Sequence, residues 1–167
     1  MIFDSVLSRR GIIDSVYVNF PGAGAGAGAG WFRILPRFVT NFHDVTPGRL
    51  KQLLTDLFAT GYILDSATNQ QIWSRVNIQD VFDNFPHNTR IVGCLSGEAA
   101  NNFVHYDEYI ASEIQHDHSY VFVVGIFAGG IIERFIHENV KVSNYSLRTY
   151  NCISNIISGL QKKWNIW

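Results

Sequence analysis

The chain has 167 residues, 47% of them apolar and 16% charged, with 13 basic and 14 acidic side chains. That composition excludes a disordered chain, which would be poor in apolar residues, and suits one globular domain over 1–167. The near-zero balance lacks the global basic excess typical of nucleic-acid-binding domains. Arg33, Arg37, Arg49 and Lys51 form a local basic stretch, which on charge alone reads as a solvated face more readily than as a binding patch.

No apolar run approaches the roughly 18 residues that would span a bilayer. Met1 to Leu7 is too short for a signal peptide and carries Asp4. The reading is a soluble intracellular protein with no membrane partner. Cys94 and Cys152 lie far apart inside apolar runs, without metal spacing, and read as buried free thiols.

In chain order, Ile2 to Leu7 reads as the last turn of a helix, closed by Ser8-Arg9-Arg10-Gly11. Ile12 to Phe20 is rich in β-formers and reads as a strand. Gly and Ala then alternate from Gly22 to Gly30, so the stretch 21–30 reads as a low-complexity loop or as a stand-in for unidentified residues. Trp31 to Phe38 is extended, ending near Pro36. Thr46 suits an N-cap, Pro47 the first helical position and Gly61 the far end of a helix bearing Leu50, Leu53, Leu54 and Leu57 at helical spacing. Gln70 to Val76 reads as a strand, Val81 to Thr89 as a loop around Pro86, Arg90 to Leu95 as a strand and His105 to Gln115 as a helix.

Tyr120-Val121-Phe122-Val123-Val124 is the strongest strand signal, continuous and β-branched or aromatic, as for an interior strand of a parallel sheet. Glu138 to Val142 is a further short strand. From about Leu147 to Trp164 an apolar stripe of Ile153, Ile156, Ile157, Leu160 and Trp164 marks a helix. Strands alternating with helices indicate an α/β layer fold with no visible repeat or second domain.

Two stretches can carry chemistry. Gly125-Ile126-Phe127-Ala128-Gly129-Gly130 follows a strand of parallel type, the place where open α/β sheets bind ligands. It is neither a dinucleotide fingerprint nor a P-loop, and a tight turn would explain it alone. Val142-Ser143-Asn144-Tyr145-Ser146-Leu147 joins the last strand to the last helix. Ser143 and Asn144 are natural capping residues, and such a loop at a helix N-terminus also offers backbone groups to a ligand. His116 and His118 have no third ligand close by, so no metal site is expected.

The combination resembles one family. A strand ending VFVVG, a small-residue loop, a short strand, SNY-x-L and a helix ending KKWNI are similar to that family's VFVGAMA-x-G, SNYPLSA and terminal WNI. It is the SPOUT-class pseudouridine N1-methyltransferases of small-subunit ribosome biogenesis, the nucleolar essential protein family. Arg33-Ile34-Leu35-Pro36-Arg37 with Phe42 resembles the family's RIPR-x4-F. Asp4-Ser5 with Gly11 and the strand to Tyr17-Val18 resembles its LDSP-x3-AG segment. The likeness is specific from Tyr120 to the C-terminus and looser upstream. The family's Arg-Pro-Asp motif has no counterpart after Met1, so the chain reads as a reduced member, and no catalytic base is assigned.

The resemblance implies an α/β fold with a SPOUT-type sheet, helices on both its faces and a C-terminal deep trefoil knot holding S-adenosylmethionine. Arg90 to Ser96 sits where the family has a strand ending in a cofactor-contacting loop; carried over, Leu95 or its neighbour, Gly125, Gly130, Val142, Ser143, Asn144, Tyr145 and Leu147 would surround the cofactor, and Arg33 and Arg37 would grip RNA. The reaction implied is methyl transfer to N1 of a pseudouridine in small-subunit rRNA. The implied partners are that rRNA and its precursor particle, a second copy of the chain and other ribosome assembly factors, in the nucleolus or nucleus. The alternative is a catalytically weakened relative that serves as a structural, RNA-binding assembly factor.

Overall fold

The computed structural model describes residues 5–20, 30–36, 46–65, 68–125 and 130–167. Within the single domain expected from the sequence, the chain packs as two compact units, Met1–Val81 and Phe82–Trp167.

The first unit opens with a one-turn helix, α1 (Val6–Arg9), whose cap is Ser5: its hydroxyl accepts the Ser8 amide at 3.1 Å. The strands β1 (Val16–Phe20), β2 (Gly30–Ile34), β3 (Tyr62–Leu64) and β4 (Gln71–Val76) form an antiparallel sheet in the order β1-β2-β4-β3. The nine residues between β1 and β2 and the six between β3 and β4 are too few for a parallel crossover, which needs a dozen or more. This half therefore departs from the single layered sheet read from the sequence. The Gly/Ala tract up to Ala29 lies outside the described residues, while Gly30 belongs to β2 and pairs with Phe20.

Between β2 and β4 lies α2 (Pro47–Thr60), bounded as its sequence signals direct. Thr46 Oγ1 accepts the Arg49 amide at 3.3 Å, and Gly61, at φ 84°, ends the helix by donating its amide to the Leu57 carbonyl. The left-handed φ is open to glycine at little cost, which is why the helix stops there. Leu57 on α2 packs with Phe32, Ile34 and Trp73 of the sheet, joined by Phe20 and Phe58. The rings of Phe20 meet those of Phe32 and Phe58 edge-on at 5.7 and 5.5 Å. Each fully buried side chain of this size contributes about 1.5–3 kcal/mol.

In the second unit, β5 (Thr89–Ser96), β6 (Ser119–Val124) and β7 (Glu138–Ser143) form a parallel sheet in the order β6-β5-β7. Here one expectation is corrected. The interior strand is β5, with Ile91 to Cys94 all buried, whereas most of the intensely apolar β6 is only half-buried. Strand position sets burial, because β5 has a neighbour on each side and β6 borders the described sheet. A second correction concerns the stretch around Val81, read as loop: α3 (Ile78–Asp83) occupies its start, with Asn77 Oδ1 accepting the Gln79 amide at 3.1 Å.

Two helices pack together in this unit, α4 (Tyr106–Ser112) and α5 (Thr149–Lys163). His105 caps α4 with its ring, and Lys163 Nζ donates to the Ala111 carbonyl. On α5 the buried face is Cys152, Ile156, Gly159 and Leu160, with Ile153, Ile157 and Trp164 half-buried beside it. The helix starts later than the sequence suggests, with Arg148 as N-cap, so Ser143 and Asn144 do not cap it. No helix among the described residues is long and apolar enough to cross a membrane. The architecture is mixed α/β, one sheet antiparallel and one parallel.

Candidate functional site

Parallel strands deliver all their carboxyl ends to one edge, and the loops that leave them gather there. In this sheet Cys94 is in register with Val124 and Leu95 with Lys141, so Gly125 follows β6 at the level of Leu95. Beyond a register shift, Ser96 pairs with Ser143. The sheet thus brings together Leu95, Gly125 and the start of the 143–147 loop, residues far apart in sequence.

That loop is fastened to the end of β5 by two hydrogen bonds and braced internally by a third. The Gly97 amide donates to the Ser143 carbonyl at 3.1 Å. The Leu147 amide donates to Ser96 Oγ at 3.2 Å. Within the loop, the Tyr145 amide donates to Ser143 Oγ at 3.0 Å. Gly97 is required at its position for two reasons: its φ is 82°, and a Cβ there would stand 2.9 Å from Ser146 Oγ. The sequence reading reached Ser96 only as a neighbour of Leu95 at the strand end and missed Gly97; the signal available was a Ser-Gly pair directly after a buried strand.

The residues expected at the cofactor occupy unlike positions. Leu95, Ser143 and Leu147 are half-buried, and Asn144 and Tyr145 are exposed. Val142 is 2% exposed, so its side chain belongs to the core and only its backbone can face a ligand. Tyr145 is 80% exposed and presents its ring to solvent. Gly130 lies in the next turn, where its carbonyl accepts the Glu133 amide at 3.1 Å; the hydrogen bonds described for it stay within that turn. Residues 126–129, the middle of the glycine stretch, lie outside the described residues.

Beneath the fastened loop sit the two thiols, both buried and free. Cys94 and Ser96 share one face of β5, since alternate residues of a strand point the same way. Cys152 lies in the first turn of α5, close enough to the Ser96 hydroxyl for it to act on the thiol. Burial pushes the Cys152 thiol up, and the Ser96 hydroxyl draws it partly back. Burial raises the Cys94 thiol strongly, with the nearby Cys152 adding to it. Both therefore stay neutral and act as small apolar spacers rather than nucleophiles.

The opposite edge of the same sheet is built from charged groups. Arg90, Tyr109, Glu113, Gln115, His118, Tyr120 and Glu138 line a cavity of about 50 Å³. The Tyr109 hydroxyl donates to Glu138 Oε1 at 2.6 Å, and that of Tyr120 donates to the Glu113 carbonyl while accepting the Gln115 amide. Burial, then the bond to Glu138, keeps the Tyr109 phenol protonated far above its usual range. These groups largely satisfy one another, and the cavity has room for little more than water. A larger hollow, about 390 Å³, lies in the first unit along Thr60, Gly61, Tyr62, Ser74 and Arg75; Ser74 is the register partner of Arg33, and none of the residues expected at the cofactor lines it.

Of the two arginines expected to hold RNA, Arg37 lies outside the described residues. Arg33 is on β2, where its Nε donates to Ser15 Oγ at 2.8 Å and its guanidinium meets Asp14 Oδ2 at 3.2 Å. That pair is exposed, with Asp14 79% open to solvent, so it is worth at most about 1 kcal/mol and can be displaced.

No protein-family model matches the chain, and no curated protein matches it by sequence. Among solved structures it is similar to Nep1 of Archaeoglobus fulgidus bound to S-adenosylhomocysteine, with a TM-score of 0.58 and 13% identity. The superposition takes in 98% of this chain and 67% of that one, so the likeness spans both units and is a likeness of fold.

Proposed function

We propose that this chain is an S-adenosylmethionine-dependent methyltransferase that modifies N1 of a pseudouridine in small-subunit rRNA during subunit assembly. The observation that carries the proposal is the fastened loop: Ser143 to Leu147 tied to Ser96 and Gly97 at the carboxyl edge of a parallel sheet. The shared fold with a protein crystallised with S-adenosylhomocysteine and the SNY-x-L and KKWNI motifs support it.

The residues present fit the proposed cofactor. Gly97 and Gly125 let the backbone come close to an adenosyl group, and the loop from Ser143 adds backbone and small polar groups at Ser143, Asn144 and Ser146 beside them. When bound, the cofactor supplies an activated methyl group. The chain's own part is to hold the loop rigid on β5 and to present the target nitrogen in line with that methyl. Neutral Cys94 and Cys152 keep the ground beneath the loop apolar and unreactive. The same reading brings a homodimer, the small-subunit precursor particle with its assembly factors and a nucleolar location, and it includes the deep trefoil knot.

Calorimetric titration with S-adenosylmethionine and S-adenosylhomocysteine tests the proposal. Micromolar binding is expected, followed by methyl transfer to a pseudouridine-containing rRNA hairpin. Absence of binding to folded protein would remove the enzyme reading and favour a structural assembly factor.

A further inference from the structure

Charge is unevenly divided along the chain. From Asn139 to Trp167 there is no Asp or Glu, while Lys141, Arg148, Lys162 and Lys163 are present. The preceding 138 residues carry nine basic and fourteen acidic side chains, so the near-neutral total conceals a positive C-terminal segment. That segment contains β7 after its first residue, Glu138, together with the fastened loop and α5.

Aromatic rings are exposed at the same place. Tyr145 is 80% and Tyr150 47% exposed, and Arg148, between them, is exposed as well. An aromatic side chain so open to water is unusual in a loop that is otherwise held fast. The hydrogen bond described for Tyr145 engages its amide, which fixes the backbone under the ring and leaves the ring's face free. Arg148 is the N-cap of α5, and because a guanidinium only donates it takes no part in accepting the first-turn amides of the helix.

We propose that Tyr145, with Arg148 and Tyr150 beside it, is the substrate platform of the carboxyl edge: Tyr145 stacks on an unpaired nucleobase and Arg148 meets the adjoining phosphate. This deepens the methyltransferase reading and rests on it for the location of the reaction. It also reassigns Tyr145 from the cofactor, where resemblance puts it, to the nucleic acid. Physical chemistry favours an RNA strand over other ligands here. A ring face is the common partner of every base, and a basic residue beside it neutralises the backbone; the nearest acid in the sequence of the anchoring turn is Glu98, which follows Gly97. Arg33, by contrast, already has Asp14 and Ser15 as partners.

The test is fluorescence anisotropy of the full chain with a short fluorescein-labelled oligouridine. Tyr145→Ala is expected to weaken binding about tenfold or more, the loss of one stacked base, while Tyr145→Phe keeps the affinity because the ring suffices. Arg148→Gln is expected to weaken binding and lower the slope of log affinity against log salt by about one. Thermal denaturation of each variant confirms that the fold is retained. The proposal is overturned if Tyr145→Ala binds as the unmutated protein does, or if the unmutated protein does not bind the RNA. It also fails if Tyr145→Ala alters the oligomeric state and leaves RNA affinity untouched, which would make this surface a self-association face. S-adenosylhomocysteine affinity of the unmutated protein, measured alongside, reads the methyltransferase proposal separately. If that affinity is absent while the RNA results hold, the enzyme reading falls and the platform stands.

Discussion

The two sheets of this molecule use similar material for different ends. In the antiparallel sheet, β1, β2, β3 and β4 turn back on one another, so their ends scatter to both sides. What that sheet concentrates is its face, where Phe32, Ile34 and Trp73 meet Leu57 of α2. In the parallel sheet the strands all run one way, and what is concentrated is an edge. Leu95 and Gly125 reach one level, and Ser143 the next beside Ser96, from three places in the sequence. A core and a site are thus separate products of strand direction, and a change in one should leave a different mark from a change in the other.

The largest effect expected is on the face. Phe32→Ala removes a ring that is 0% exposed and in contact with two others, and should cost about 3–5 kcal/mol in denaturant unfolding. A loss below about 1 kcal/mol would mean that this face is not the core of the first unit. An intermediate effect belongs to the edge. Gly97→Ala must place a Cβ against Ser146 at a positive φ with extended ψ, a conformation nearly confined to glycine, at a cost of about 1–3 kcal/mol from the backbone alone. Because the strained bond is the one that seats the loop, S-adenosylhomocysteine affinity should fall about tenfold or more. Unchanged affinity would show that the fastened loop does not hold the cofactor.

The smallest effect separates the sheets by pH. Both thiols belong to the parallel unit, and burial raises them above their usual value of 9.0. The native state keeps them neutral while the unfolded chain ionises them, so their contribution is complete below about pH 9 and is lost as pH rises further. Unfolding midpoints should decline as pH rises above about 9, and Cys94→Ala should flatten the decline. Hydrogen exchange should place the loosening in β5 rather than β2. An equal slope in Cys94→Ala would contradict the burial of that thiol.

What the sequence determined by itself is local. The limits of α2 were readable because Thr46, Pro47 and Gly61 act on their own neighbours through a cap, a preset φ and a left-handed turn. The apolar stripe of α5 and the β-forming runs of β1, β4, β5, β6 and β7 were readable for the same reason, since periodicity and branching are properties of consecutive residues. The SNY-x-L loop could be singled out as a motif, but not its anchor.

Tertiary structure decided the rest. Whether a strand lies inside or at the border depends on its neighbours, which is how β5 rather than the more apolar β6 came to be the buried centre. Ser96 and Gly97 became part of the site only through contacts with residues some fifty positions away. Tyr145, indistinguishable in sequence from a residue that lines a pocket, was turned to solvent by the hydrogen bonds beneath it. Burial and long-range hydrogen bonding are sums over the whole fold, and no stretch of consecutive residues contains them.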